Sequence, residues 1–253
     1  MLLAIAALLI GFSLGIFSSG GSILTVPVLV YLVGHDPKVA IASSLLVVGS
    51  ISLVSSAINI RNSTICWHYV LLFGLPSMTG MVLGAFFANF VSGTIQLLSF
   101  GLVMLFAVKT MWESKTTQEH HQLKRSNVLL ALDGTVIGIV TGFVGVGGGF
   151  LIVPALVLLA GLPFVKAAAT GLVIISLNSF VGFVKYQSVL ETHSLSLDWN
   201  LLAIVIITGV IGSICGQTLA TKLPQQILRK GFSFFLLIMA VFIIYKSTLK
   251  LFG

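Results

Sequence analysis

The chain has 253 residues, of which 57% are hydrophobic and only 8% charged, and its mean hydropathy is +1.15. A soluble domain carries charge on roughly a quarter of its residues, so lipid rather than water must cover this one. The net charge of +7 comes from Lys and Arg standing singly at the ends of apolar runs, where they anchor and orient membrane helices, and this excludes a nucleic-acid partner.

In chain order the apolar segments fall at about 2–18, 22–33, 38–59, 67–87 and 94–112, then at about 128–145, 149–160, 164–186, 199–219 and 228–247. The fold class this predicts is an all-α membrane protein built from two repeats of five segments each, residues 1–112 and 128–253. A linker, 113–127, joins them and contains the long hydrophilic stretch Glu113–Ser126. Met1–Phe17 lacks a positively charged start and reads as the first segment rather than as a cleavable signal.

The second segment of each half is short. About 12 apolar residues precede Gly34-His35-Asp36-Pro37, too few to cross a hydrocarbon layer of ~30 Å at ~1.5 Å per residue. The expected picture is a first helix that breaks at glycines and turns back as a half-helix to the side it came from. Such irregular backbone is tolerated only where protein or water covers it, which places the breaks against an internal cavity. The third segment opens with Asp36 as N-cap and Pro37 at the first helical position.

The two halves are copies. Ile10–Ser52 laid over Ile137–Ser179, a constant offset of 127, gives 16 identities in 43 pairs, including Gly11, Gly15, Gly20, Gly21, Val26, Pro27 and Gly34 with Gly138, Gly142, Gly147, Gly148, Val153, Pro154 and Gly161. Past residue 66 the offset becomes 132: Trp67, Gly80, Gly84 and Ala88 answer Trp199, Gly212, Gly216 and Ala220, and the five extra residues fall in the polar stretch Ser188–Asp198. If the short segments return to their starting side, the halves are inverted and nine basic residues share one face against four on the other. Two parallel halves would split them eight to five, so the positive-inside rule favours the inverted arrangement with a cytoplasmic linker.

Paired interruptions in repeated apolar segments point to a transporter's binding site. Half-helices that start after the breaks would aim unpaired N–H groups and the positive dipole end at a ligand, an anion site made without a charged side chain. The candidate binding residues are Ser19, Gly20, Gly21 and Ser22 at the first break and Gly147, Gly148 and Gly149 at the second. The third segments add Ser43, Ser44, Thr170 and Asn178, a carboxamide near mid-span that needs partners and can donate to an anion. Ser43 and Thr170 are repeat equivalents. Pro27 and Pro154 read as backbone devices, and Gly80/Gly84/Ala88 and Gly212/Gly216/Ala220 as packing stripes, with Cys215 a small residue within the second stripe.

Asp133 is the one carboxylate inside an apolar segment and the candidate for proton or cation coupling, although its nearness to Lys124 and Arg125 equally suits an interfacial carboxylate near a helix N-terminus. His120 and His121 read as a polar pair in the linker. There is no HExxH, Ser-His-Asp set or P-loop, so an enzyme is not expected, nor is a metal or other cofactor.

Gly11-x₃-Gly15-x₄-Gly20-Gly21-Ser22-x₃-Val26-Pro27-x-Leu29, its partner Gly138-x₃-Gly142-x₂-Gly145-x-Gly147-Gly148-Gly149-x₃-Val153-Pro154-x-Leu156, and the later Ala42-Ser43-Ser44-Leu45 and Ala169-Thr170-Gly171-Leu172 resemble the sulfite exporter TauE/SafE family of bacterial inner-membrane proteins. The resemblance covers essentially the whole chain. It implies a secondary transporter that moves a small sulfur-containing anion, such as sulfite or a sulfonate, across the inner membrane. The chain departs from the family pattern at Ser18-Ser19, at Ser22 and at Gly171, which changes the hydroxyls and amides lining the breaks. The expected partners are a small anionic substrate and the lipid bilayer, with assembly as a homodimer left open. Two other readings stand beside it: a transporter of a cation or another small metabolite that uses Asp133, and a non-transporting membrane scaffold.

Overall fold

The computed structural model describes residues 2–18, 20–61, 64–113, 126–147, 149–192 and 194–252, all of them helix or connecting turn. The first half comprises α1 (Leu2–Phe17), α2 (Gly20–Leu32), α3 (Pro37–Arg61), α4 (Trp67–Ala88) and α5 (Gly93–Glu113). The second comprises α6 (Asn127–Val144), α7 (Gly149–Leu158), α8 (Phe164–Thr192), α9 (Trp199–Ala220) and α10 (Gln225–Phe252). Among the described residues seven of these helices are long and apolar enough to cross a membrane; α1, α2 and α7 are shorter. The stretch expected to be a polar loop from Ser188 is still helix as far as Thr192, and α10 starts three residues before the expected 228.

Local chemistry sets the boundaries. The Asp36 carboxylate accepts the Lys38 amide at 2.8 Å, so α3 begins with a filled cap followed by proline. Asp198 does the same for α9, accepting the Leu201 amide at 3.0 Å. Pro27 cannot supply the amide hydrogen that the carbonyl four residues back would accept, and α2 continues past it over Val28–Leu32 as a wider π-helical turn. In α4 a similar turn, Val70–Gly74, immediately precedes Leu75-Pro76.

The surface is apolar like the core, and polar side chains are buried within that core. Phe106 and Ile207 are more than 60% exposed, whereas Ser52, Thr141 and Asn178 are fully buried. Such a surface is at ease only in acyl chains, and the exposed Trp67 and Trp199 open α4 and α9 where an interfacial indole is favoured.

Helix pairing crosses between the halves. α1 packs along α9, with Gly11 against Gly209 and Gly15 against Ser213 and Gly216; α6 packs along α4, with Gly138 against Ser77 and Gly142 against Met81. Residue numbers rise together in both pairs, so each is parallel. A β-carbon on Gly80, Gly84, Gly212 or Gly216 would overlap a backbone carbonyl of the facing helix, which makes the two glycine stripes close-contact seams. Cys215 is not part of its seam: it is exposed, and Ser213 takes the buried position and hydrogen-bonds Ser55.

The third helices, α3 and α8, form the centre and run antiparallel. The Gly145 turn touches both Ile41 near the start of α3 and Tyr186 near the end of α8. Ser176 donates to the Gly49 carbonyl at 3.2 Å mid-helix, and the Cys66 amide beyond the end of α3 donates to Thr170 near the start of α8 at 3.0 Å. α5 and α10 also pair.

Candidate functional site

The second break lies where α6 ends. Gly145 takes φ +75°, a left-handed turn that suits glycine, and its amide and that of Val146 both return to the Thr141 carbonyl, at 2.8 and 3.4 Å. The next carbonyls would be orphaned. Instead the Tyr186 hydroxyl donates to Gly142 O at 3.2 Å, Gln96 Nε2 donates to Phe143 O at 3.1 Å and lies 3.3 Å from the Tyr186 oxygen, and Ser44 Oγ reaches Gly145 O at 3.4 Å. Side chains from α3, α5 and α8 thus close on this turn, and Tyr186 and Gln96 are at most 1% exposed.

The first break is built differently. Ser18 has φ +59°, the same left-handed turn in a residue that tolerates it less well than its repeat equivalent Gly145. The chain then reverses: a β-carbon on Gly20 would lie 2.8 Å from Ser13 O, and one on Gly21 2.9 Å from Ile10 O, so α2 lies back along α1. The position equivalent to Tyr186 is Asn59, whose amide turns to Ser55 O at 3.0 Å, and that equivalent to Gln96 is Leu228. Neither side chain hydrogen-bonds to α1 among the described residues, and a partly open cavity of about 340 Å³ lies here, lined by Ser18, Asn59, Ala168, Gln217, Thr218 and Leu228, among others. Gln217 donates to Ser55 O at 3.2 Å. Lys166, Lys222 and Lys230 are exposed on the helix ends around it.

The residues expected to bind are distributed over both ends and the middle. Gly20, Gly21 and Ser22 are fully buried, and the two glycines face α1. Gly147 faces the Ser179 hydroxyl, and Gly149 opens α7, buried. Ser44 is at the second break, while Thr170 accepts the Cys66 amide at the start of α4. Asn178 accepts from Ser77 Oγ at 3.0 Å; its own Nδ2, together with the hydroxyls of Ser43, Ser52 and Ser179, has no hydrogen-bond partner among the described residues. Asp133 sits half-buried on α6 beside Gly134, away from both breaks. Ser19, Gly148, His120 and His121 lie outside the described residues. Tyr186, Gln96 and Gln217 were not anticipated from sequence. Running the 127 offset on to residue 59 and the 132 offset on to residue 228 pairs Tyr186 with Asn59 and Gln96 with Leu228, and was the signal available.

An apolar exterior, polar side chains buried within an apolar core and a cavity ending on a helix break define a multi-pass membrane transporter. The family model of the sulfite exporter TauE/SafE proteins matches residues 3–243, and the chain belongs to that family. It is 30% identical over 251 residues to a probable membrane transporter protein of Xylella fastidiosa strain Temecula1, covering 94% of this chain and 92% of the relative. It is 28% identical to the probable membrane transporter protein YunE of Bacillus subtilis (90% and 93% covered) and 26% identical to a probable membrane transporter protein of Methanocaldococcus jannaschii (90% and 88%). No solved structure matches the chain. The protein is thus a transporter and not an enzyme.

Proposed function

We propose that the protein carries a small sulfur-containing anion, sulfite or a sulfonate, across the bacterial inner membrane by alternating access between two inverted halves. The single observation that carries this reading is the cavity at the first break: neutral polar groups among apolar ones and a left-handed turn line it, and exposed lysines follow the lining residues on the adjoining helix ends. A basic rim draws anions toward the opening, while hydroxyl and carboxamide groups can hold an oxyanion without trapping it as a buried cation would. The antiparallel crossing of the equivalent helices α3 and α8 supports the inverted relation. With the linker in the cytoplasm, the cavity end is then the cytoplasmic one, in keeping with the lysines there. The breaks with Ser19, Gly20, Gly21, Ser22, Gly147, Gly148 and Gly149, and the α3/α8 residues Ser43, Ser44, Thr170 and Asn178, form the path along which the anion is passed.

Purified protein in proteoliposomes, assayed with sulfite, sulfoacetate, thiosulfate and sulfate, should show saturable flux of sulfite or sulfoacetate. Absence of flux for every small anion, with monodisperse protein confirmed, would overturn the reading.

A further inference from the structure

Two repeats descended from one sequence ought to end in two similar breaks, and here they do not. The difference traces to two pairs of equivalent positions. Where α8 carries Tyr186, α3 carries Asn59; where α5 carries Gln96, α10 carries Leu228. Tyr186 and Gln96 bond to each other and to the last carbonyls of α6, filling the space around the second turn. Asn59 donates to Ser55 O in its own helix and accepts from Thr64 just beyond it, Leu228 has no polar side-chain atom, and the equivalent space around the first turn is the cavity. Because α3 and α8 are antiparallel, these places lie at opposite ends of the central helix pair. Ile41 at the filled end and Asn59 at the open end are 18 residues apart on α3, roughly 27 Å at the usual helical rise.

We infer that Tyr186 and Gln96 form a latch that shuts the α6 end of the transport path while the α1 end stands open, so that access alternates when this latch parts. The inference rests on the alternating-access reading above, and adds to it the residues that hold one end closed. The latch suits a gate. It consists of neutral hydrogen bonds among three helices from both halves, with no buried charge, so it can break and re-form without stranding an ion in the membrane. The Tyr186 hydroxyl is the hub, accepting from Gln96 while donating to Gly142. The opposite end lacks an equivalent, and its closure would have to come from helix movement.

The test needs no substrate, so its outcome is separate from that of the flux assay. In full-length protein with Cys66→Ser and Cys215→Ser, one reporter cysteine is placed at Val146, buried within the closed turn, or at Ala168, on the cavity wall. Labelling by a membrane-impermeant maleimide is followed in vesicles of both orientations. We expect Ala168→Cys to label from one side only and Val146→Cys to resist from both. Adding Tyr186→Phe and Gln96→Leu should raise labelling of Val146→Cys roughly tenfold, from the side opposite Ala168→Cys, as the population of the alternative state rises. The reverse graft, Asn59→Tyr with Leu228→Gln, serves as a second variant should the first fail to fold, and should protect Ala168→Cys. Unchanged labelling of Val146→Cys in a folded latch variant, labelling of both cysteines from the same side, or no protection by the graft would each overturn the inference.

Discussion

Ser18 and Gly145 occupy the same left-handed turn in the two repeats, and only one of them is a residue that adopts it freely. The exchange should therefore act oppositely at the two sites. Ser18→Gly is expected to leave stability unchanged or raise it by up to about 1 kcal/mol. Gly145→Ser should lower it by at least about 1–2 kcal/mol, because its β-carbon would run into Ile41 and the Tyr186 ring in addition to the backbone strain. Thermal unfolding in detergent reads both. At mid-span, Asn178→Leu should keep the fold and abolish flux, while Ser77→Ala, which removes one hydroxyl shared between the Gly74 carbonyl and Asn178 Oδ1, should cost only about 0.6–2 kcal/mol. Asp133→Asn separates coupling from packing: loss of proton-driven flux with counterflow retained marks a coupling group, and unchanged flux with either driving force makes it an interfacial carboxylate.

The helices follow from one-dimensional signals, and these were plain in the sequence: apolar run length, the cap at Asp36-Pro37, and glycines spaced by four. The glycine stripes told that α4 and α9 touch something closely, but not what. Which partner they meet is a property of three-dimensional pairing that no local pattern encodes, and the parallel α1/α9 and α4/α6 seams exist only in the folded chain. Cys215 illustrates the limit. Its neighbours at 212, 213 and 216 face the seam, yet the cysteine itself points outward by helical phase alone. Accordingly, Gly11→Leu or Gly138→Leu should abolish monodisperse protein in size-exclusion profiles, and a bulky replacement at Cys215 should pass unnoticed.

At the scale of the whole molecule, the inverted arrangement predicts sidedness. A protease site inserted in the 113–127 linker should be cut only from the cytoplasmic face, and one placed near Ser194, between α8 and α9, only from the other. Cleavage of both sites from one face would break the inverted model. The repeat was the clearest message of the sequence, but sequence similarity concealed the structural asymmetry of the two breaks. The glycines that align so well are shared by both ends, and what differs is a tyrosine and a glutamine at positions where identity fails.

The exchanged seams also bear on how the protein is made. α1 leaves the ribosome well before its partner: the groove it occupies belongs to α9, which starts 182 residues after α1 ends (199 against 17). Long sequence separation between partners slows assembly and leaves helix faces unsatisfied in the meantime. During synthesis the Gly11/Gly15 surface must therefore wait beside lipid or an insertion chaperone. Either half produced alone would lack the partners for its first and fourth helices, whereas co-expressed halves could still find one another and reconstitute the bundle.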